Sequence, residues 1–155
     1  MFGFHLKKKK PTYYQPENIL ISEEAWERKG SFDKTKLDDL CDYPDSIWIG
    51  ENNEGVDVEY LKSNKIENSL ILIKLSDILI VRKDEYNKKK VRAIFTYNNK
   101  QYDLGITDPI IEKEYKNKNE GEYKLSGKIY LCISLGEPYI KYNRCYKIIA
   151  ALIKV

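Results

Sequence analysis

The sequence is poor in the side chains that most often perform catalysis. It has one histidine, His5, and no glycine pattern typical of a phosphate-binding loop or a dinucleotide-binding fold. A single histidine excludes most acid–base and triad schemes, because these depend on a positioned imidazole. We therefore predict no catalytic residue, and the remaining enzymatic alternative is a metal-dependent nuclease built from scattered carboxylates such as Asp103, Asp108 and Glu137.

Cysteines are also few, and long hydrophobic runs are absent. Cys41, Cys132 and Cys145 are widely spaced and include no CxxC pair, which is typical of free thiols buried in a reducing compartment. A zinc site would need His5 and all three cysteines to converge, so we expect no metal and no cofactor. The longest apolar runs, such as 148–153, are far below the roughly 18 residues of a membrane span.

The beginning of the sequence does not resemble a secretory signal, because its four lysines follow the short apolar stretch instead of preceding it. We expect a cytoplasmic protein that contacts no membrane. Hydrophobic residues make up 42% and charged residues 33% of the 155 residues, which indicates a globular chain. We predict one compact domain over 1–155, with an acidic helical portion at 17–60 and a β-rich portion at 61–155.

Charge is distributed unevenly along the chain. Residues 1–16 carry four lysines and no acid, residues 17–60 carry thirteen acids against four bases, and residues 61–155 carry nineteen bases against eleven acids. Two interpretations remain open. Either the acidic portion neutralises the basic sheet locally, or part of the basic surface stays free to bind a polyanion such as DNA or RNA.

The acidic portion contains two helix-start signals. Ser22 precedes two glutamates and predicts a helix that ends at Gly30, whereas Asp33 predicts a second short helix through Cys41. Trp26 and Trp48 are expected to pack this portion against the rest of the protein. The segment 51–55 is interpreted as an exposed loop.

The β-rich portion begins with apolar residues at 69–81, interrupted at Ser76-Asp77 by a predicted bend, bulge or turn. Residues 83–90 are interpreted as a charged loop. The alternation of 91–97 and 101–106 then predicts a hairpin around Asn98-Asn99, because asparagine tolerates the positive φ of tight turns. Val91, Ala93, Phe95 and Tyr97 share one predicted face.

The hairpin is followed by a short helix and two closing strands. Thr107 and Asp108 precede Pro109, which predicts a capped helix whose apolar face carries Ile110, Ile111 and Tyr115. A turn is predicted at 134–138. The strand 145–155 is apolar on both faces, so we expect it in the middle of a closed sheet. Lys147 in this strand either extends its amine to solvent or lines a binding groove.

Several short motifs occur in a recognisable order. They are Tyr14-Gln15-Pro16-Glu17-Asn18, Ser69-Leu70, Phe95-Thr96-Tyr97, Tyr102-Asp103-Leu104, Thr107-Asp108-Pro109, and Ser134-Leu135-Gly136-Glu137-Pro138 before Tyr146-Lys147. This succession resembles the dual OB-containing domain family of prokaryotes. The resemblance implies OB-type barrels and a nucleic-acid-binding accessory role, often in genome conflict, and it implies no catalytic residue. Whether one or two complete barrels are present stays open.

The predicted fold is therefore mainly β with short helices: an OB-like small antiparallel barrel, or two, with an acidic helical segment near the N-terminus. OB-type binders combine a basic groove with aromatic rings on which bases stack, at about 1–3 kcal/mol per base. Three clusters supply candidate contacts to single-stranded or duplex nucleic acid: Lys7, Lys8, Lys9 and Lys10 with Tyr13 and Tyr14; Lys88, Lys89, Lys90 and Arg92 with Tyr97; and Lys141 and Arg144 with Tyr139 and Tyr142. Lys147 is a further candidate. The alternative is a protein-interaction module that uses the acidic portion or a sheet edge.

Overall fold

The computed structural model describes residues 2–3, 6–21, 27–28, 30–48 and 54–155, with the backbone alone for 2–3, 6–8, 20–21 and 27–28. Its strands are β1 Phe2–Gly3, β2 Leu6–Lys9, β3 Ile19–Ile21, β4 Glu27–Arg28, β5 Gly55–Asp57, β6 Leu70–Glu85, β7 Lys88–Tyr97, β8 Lys100–Ile106, β9 Gly121–Tyr139 and β10 Arg144–Lys154. Its helices are α1 Val58–Ser63 and α2 Pro109–Lys116, with 3₁₀ helices at Lys34–Leu40 and Ile140–Tyr142.

The strands β6 to β10 close into a small barrel. Around the ring the order is β10, β8, β7, β6 and β9, and β9 pairs with β10 to complete it. The β8–β10 pairing is parallel and the others in the ring are antiparallel. This five-stranded Greek-key barrel is OB-like, which confirms the predicted fold class and the central position of the last strand.

A bulge allows the 16-residue strand β6 to pair with two neighbours. β6 lies beside β9 from Leu70 to Arg82, with a register shift between Leu75 and Asp77, and beside β7 from Leu79 to Glu85. An extra residue in one strand bends it and increases its twist, as a small closed barrel requires. The predicted irregularity at Ser76-Asp77 is confirmed as a bulge within one continuous strand.

The barrel core is built from the inward faces of these strands. Val91, Ala93 and Phe95 are buried as the alternation predicts, and Ile129 and Leu131 have no exposed surface. Burying each such large apolar side chain contributes roughly 1.5–3 kcal/mol to stability. Ile47, from the segment that precedes β5, belongs to this core and has no exposed surface. Its backbone N–H donates to the Tyr102 hydroxyl at 3.2 Å.

Helix α2 begins at the predicted cap. The Asp108 carboxylate accepts hydrogen bonds from the backbone N–H groups of Ile110 and Ile111 at 2.9 and 3.2 Å, and from Leu152 at 3.0 Å. Tyr115 is buried as expected, whereas Ile110 is 77% exposed and does not belong to the packed face. Asp108 therefore joins the helix start to the last barrel strand.

The prediction of a charged loop at 83–90 is wrong. β6 and β7 continue into a hairpin, with cross-strand pairs Lys83–Lys90, Asp84–Lys89 and Glu85–Lys88. Tyr86 and Asn87 form its two-residue turn and have φ values of 52° and 59°, the left-handed geometry that matches strand twist. In two of these pairs, Asp84–Lys89 and Glu85–Lys88, opposite charges face each other and stabilise the hairpin. The hairpin therefore forms although its sequence lacks the apolar alternation of a strand.

The predicted turn at 134–138 is also wrong. β9 runs on to Tyr139, and the chain reverses at residues 140–143, where Asn143 has φ 49°. Pro138 lies opposite Cys145, and the register shifts before Lys147 meets Leu135. This register shift is a bulge around Gly136, next to Pro138. Strands tolerate glycine and proline at bulges.

The acidic portion contains less regular helix than predicted. The second helix is confirmed at Lys34–Leu40 with Asp33 as its cap, but it is a 3₁₀ helix. The first predicted helix does not reach Gly30, since Glu27–Arg28 is strand β4, and the rest of it, with Trp26, lies outside the described residues. In the predicted exposed loop 51–55, residues 51–53 also lie outside the described residues. Gly55, the last residue of that loop, is the first residue of β5.

Trp48 packs this portion onto the barrel, as expected. It contacts two groups of buried apolar side chains: the barrel core, and a smaller second group formed by Val56, Val58, Leu61, Leu135 and Cys145. Its indole N–H donates to the Asn68 carbonyl at 3.0 Å. Helix α1, which the sequence pattern did not predict, buries Val58 and Leu61 in the second of these groups. The acidic portion is thus partly integrated into the protein core.

The three thiols should differ in reactivity. Cys145 is fully buried, and burial raises its pKa to about 11. Burial also raises the pKa of Cys41 and of Cys132, but both are partly exposed. The thiolate is the reactive form, so at about pH 8 we expect iodoacetamide to modify native Cys41 and Cys132 well before Cys145. Peptide mass mapping checks this order, and equal labelling of all three in the folded protein would contradict it.

Candidate functional site

The outward surface of β6, β7 and β8, called the outer face below, carries a cluster of charged side chains. Because alternate residues of β7 point to opposite sides, Arg92 and Ile94 face outward while Val91 and Ala93 fill the barrel. The hairpin turn 86–87 lies at one end of these strands. Like the turn 140–143 between β9 and β10, it connects neighbouring barrel strands.

Arg92 is the centre of an ion-pair network on the outer face. Its Nε donates to Asp103 Oδ1 at 2.7 Å, and its Nη2 donates to Glu54 Oε2 at 2.9 Å and to the Asp103 carbonyl at 2.7 Å. Burial by itself would lower the Arg92 pKa, but the bonds to Asp103 and Glu54 outweigh it and raise that pKa. Arg92 is therefore always charged and already paired.

Two hollows follow the outer face and share Ile94. The first, of about 290 Å³, is lined by Glu54, Val81, Lys83, Glu85, Lys90, Arg92, Ile94 and Asp103. Its three basic and three acidic side chains balance each other in charge. The second, of about 430 Å³, lies where β6 and β7 diverge at the bulge, and it includes Thr96, Gln101 and Lys124. Together they form a shallow, mixed-charge channel.

The hairpin turn presents an aromatic ring to solvent. Tyr86 is 89% exposed, and the Lys90 amine lies 5.9 Å from its ring centroid. Lys90 also pairs with Glu85, whereas Lys83 and Lys88 are exposed. Lys89 points to the other side of the hairpin and donates to the Lys116 carbonyl at 3.0 Å. The hairpin therefore contributes the exposed amines of Lys83, Lys88 and Lys90 beside the outer face, and Lys124 adds another at the second hollow.

The turn 140–143 presents a second aromatic group. The rings of Tyr139 and Tyr142 are 5.6 Å apart, both are exposed, and Ile140 between them is 94% exposed. Lys141 places its amine 5.2 Å from the Tyr142 centroid. Arg144 pairs with Asp57 at 3.0 Å and is half-buried, so it is less available than the predicted cluster implied.

Of the N-terminal candidates, Tyr13 and Tyr14 lie beside α1, and Tyr14 also beside β5. Lys9 and Lys10 are exposed, and for Lys7 and Lys8 only the backbone, in β2, is described. The Tyr13 and Tyr14 rings meet edge to face at 5.0 Å, with Tyr14 packed against buried residues such as Val56 and Leu61. The Tyr14 ring therefore supports the core, while Tyr13 stays partly exposed.

Two predicted contacts lie in or against the core. Lys147 is 1% exposed, its amine donates to the Trp48 carbonyl at 3.3 Å and lies 6.0 Å from the Tyr102 ring centroid. It neither reaches solvent nor lines the channel, so both expectations for it are wrong. Tyr97 is half-buried against the core, and burial raises its pKa. Neither side chain offers an open surface to a ligand.

The sequence interpretation missed Tyr86 and Glu54. Tyr86 was detectable in principle, because a Tyr-Asn pair between two runs of alternating residues is compatible with a two-residue turn. Glu54 had no local signal, since it lies far along the chain from Arg92 and joins it only through the folded barrel.

Two of the three carboxylates considered for a nuclease already hold structural partners, and the third, Glu137, is exposed. Asp103 bonds to Arg92, and Asp108 to backbone N–H groups. Within the described ranges, no three or more His, Cys, Asp or Glu side chains are grouped so that they could hold a metal ion. No helix in the described part of the chain combines the length and apolar character needed to cross a bilayer.

The closed Greek-key barrel, with its outer face and flanking turns, places the protein in the OB-fold class. The family model for the dual OB-containing domain matches residues 1–152, and the chain belongs to this family. No curated protein matches the chain, and no solved structure matches it.

Proposed function

We propose that the protein binds nucleic acid along the outer face, between the turns 86–87 and 140–143. The strongest support is the position of this surface in the barrel. OB folds bind oligonucleotides on barrel strands 2 and 3 and on two loops, the one that joins strands 1 and 2 and the one that joins strands 4 and 5. In this barrel those elements are β7, β8 and the two turns, and they carry Tyr86, Tyr139 and Tyr142.

The side chains divide into two roles. The exposed lysines Lys83, Lys88 and Lys141 attract phosphates, which supplies sequence-independent affinity. The exposed rings Tyr86 and Tyr142 offer stacking surfaces for unpaired bases, at about 1–3 kcal/mol each. Single-stranded nucleic acid is the preferred ligand in this proposal, because bases in a duplex are already stacked. The chain acts as one domain in an accessory role in nucleic-acid processing or genome conflict.

Fluorescence anisotropy with labelled oligonucleotides tests the proposal. We expect dissociation constants of micromolar or below at about 50 mM salt, with single strands bound more tightly than duplexes of the same length. The log of the affinity should fall linearly with the log of the salt concentration, because each phosphate contact releases a counterion. Lack of binding at low salt to every single-stranded and duplex probe would exclude the function.

A protein partner is the second candidate. Phe32, Leu40 and Tyr43 are exposed on the segment that also carries the exposed Asp33 and Asp39, so this segment presents both acidic and apolar groups to solvent. Such a surface suits a basic, partly apolar partner. The same assay with a labelled lysine-rich peptide separates the two functions, since the exposed lysines that would attract nucleic acid repel such a peptide.

A further inference from the structure

We infer that Glu54 competes with nucleic-acid phosphate for the Arg92 guanidinium and thereby limits the affinity of the outer face. The inference depends on the proposed nucleic-acid binding and concerns the same face. Arg92 lies in the middle of that face, between two carboxylates at 2.7 and 2.9 Å. One guanidinium with two carboxylates carries a net negative charge, so this group repels a phosphate while both pairs are intact.

The two carboxylates are not equivalent. Asp103 belongs to β8, directly opposite Ile94 of the adjacent strand, and its residue accepts from Arg92 through both a carboxylate oxygen and the backbone carbonyl. Asp103 lies in the β7–β8 hairpin, to which Arg92 also belongs, and it holds the guanidinium in place. Glu54 comes from outside this hairpin, just before β5, and contributes a single hydrogen bond to Arg92. Glu54 is therefore the exchangeable partner.

Glu54 can leave without disturbing the fold. Its backbone is held separately, since its carbonyl accepts from the Lys147 N–H at 2.7 Å. Its side chain is 51% exposed, whereas that of Arg92 is 25% exposed. Rotation of the Glu54 side chain into solvent therefore frees one N–H of Arg92 Nη2 at the surface of the 290 Å³ hollow, while the bond from Nη2 to the Asp103 carbonyl stays.

A phosphate oxygen then takes the position of the Glu54 carboxylate. Guanidinium binds carboxylate and phosphate through the same planar, charge-assisted geometry, so the exchange keeps the Nη2 hydrogen bond and the Asp103 contacts. The ligand gains one phosphate contact but first has to displace an intramolecular anion. Glu54 thus sets both the affinity of the face and the number of counterions released on binding.

The variant Glu54→Gln tests this competition, because glutamine keeps the shape of the side chain and removes its charge. With a single-stranded oligonucleotide at about 50 mM salt, we expect about three- to fivefold tighter binding. The slope of log affinity against log salt should become steeper by about 0.7, the value for one additional contact to a single strand.

A double-mutant cycle separates competition from the general effect of removing a negative charge. In the Arg92→Gln background, Glu54→Gln should change the affinity by less than about twofold and leave the salt slope unaltered, because the contested guanidinium is gone. Arg92→Met, which keeps an unbranched chain but no charge, provides a second background if the glutamine variant does not fold, as judged by circular dichroism.

The outcomes distinguish the two proposals. An equal gain from Glu54→Gln in both backgrounds, or no gain in either, overturns the competition while oligonucleotide binding itself stands. If neither the unmodified protein nor any variant binds, the nucleic-acid function fails and the role of Glu54 fails with it.

Discussion

Reversing the two exposed lysines Lys83 and Lys88 to glutamate is expected to weaken oligonucleotide binding by about 10- to 100-fold at low salt. Both side chains are exposed on the β6–β7 hairpin and lie beside Tyr86 and the Arg92 network. Each substitution replaces a phosphate-attracting amine by a repelling carboxylate. Anisotropy at several salt concentrations measures the loss, and the salt slope should fall by about 1.4, or 0.7 for each lost contact to a single strand.

A matched control is available on the acidic portion. Lys34→Glu with Lys36→Glu makes the same change in net charge on the exposed 3₁₀ helix Lys34–Leu40, whose Asp38 packs against β6 and β9 through Lys74 and Tyr130. We expect this control to weaken binding by no more than about threefold, through the overall field alone. Equal losses in the two variants would show that binding follows net charge and that the hairpin is not the contact.

A charge reversal at Arg92 is unsuited to this binding experiment. Reversing Arg92 would place a third carboxylate beside Glu54 and Asp103, so the variant would lose stability as well as a candidate contact. Lys89 is similarly unsuited, since its amine bonds to the last turn of α2. The pair Lys83 and Lys88 changes the surface without removing a described hydrogen bond. Because Lys88→Glu places a like charge opposite Glu85, circular dichroism is used to show that the variant folds.

Asp108→Ala is expected to cost about 2–4 kcal/mol of unfolding free energy. The estimate combines loss of a helix cap, about 0.5–2 kcal/mol, with the cost of leaving a buried donor unsatisfied, about 1–3 kcal/mol. The donors concerned are the N–H groups of Ile110, Ile111 and Leu152, and the Asp108 side chain that accepts from them is buried. Urea unfolding followed by circular dichroism measures the change.

Asp33→Ala is the comparison that isolates the buried contact. Asp33 also caps a short helix, accepting from the Thr35 N–H at 2.9 Å, but it is exposed, and within the described part of the chain its side chain bonds to no second element. We expect a loss of about 1 kcal/mol or less for this variant. If both alanine variants lose the same stability, Asp108 acts as a local cap only, and its bond to β10 contributes nothing measurable.

Much of the barrel could be predicted because its signals are local. The alternation at 91–97 and 101–106 follows from the two-residue period of a strand, and the Asn98-Asn99 turn follows from the positive φ that asparagine tolerates, here 47° and 61°. The Asp108 cap likewise depends on neighbours two and three residues away. Such elements have nearly the same energetics in any fold.

The charged hairpin and the last turn were misjudged because tertiary pairing overrode local composition. Residues 83–90 are polar enough for a loop, but all of them except the turn residues Tyr86 and Asn87 pair with a strand partner once β6 and β7 meet. The glycine and proline of 134–138 are typical of a turn, and only the pairing of β9 with β10 converts them into a bulge. Pairing partners distant along the chain cannot be identified from one sequence.

The strand pattern, the helix cap, the uneven charge and the resemblance to the family to which the chain belongs all follow from the order of residues along the chain. Which charged side chains remain available to a ligand depends on the folded barrel. Barrel closure buries Lys147 and brings Glu54 to Arg92, whereas Tyr86 and Ile140 stay in solvent. The reason is physical: secondary structure depends on contacts within a few residues, but the exposure and pairing of a charge depend on every strand that closes around it.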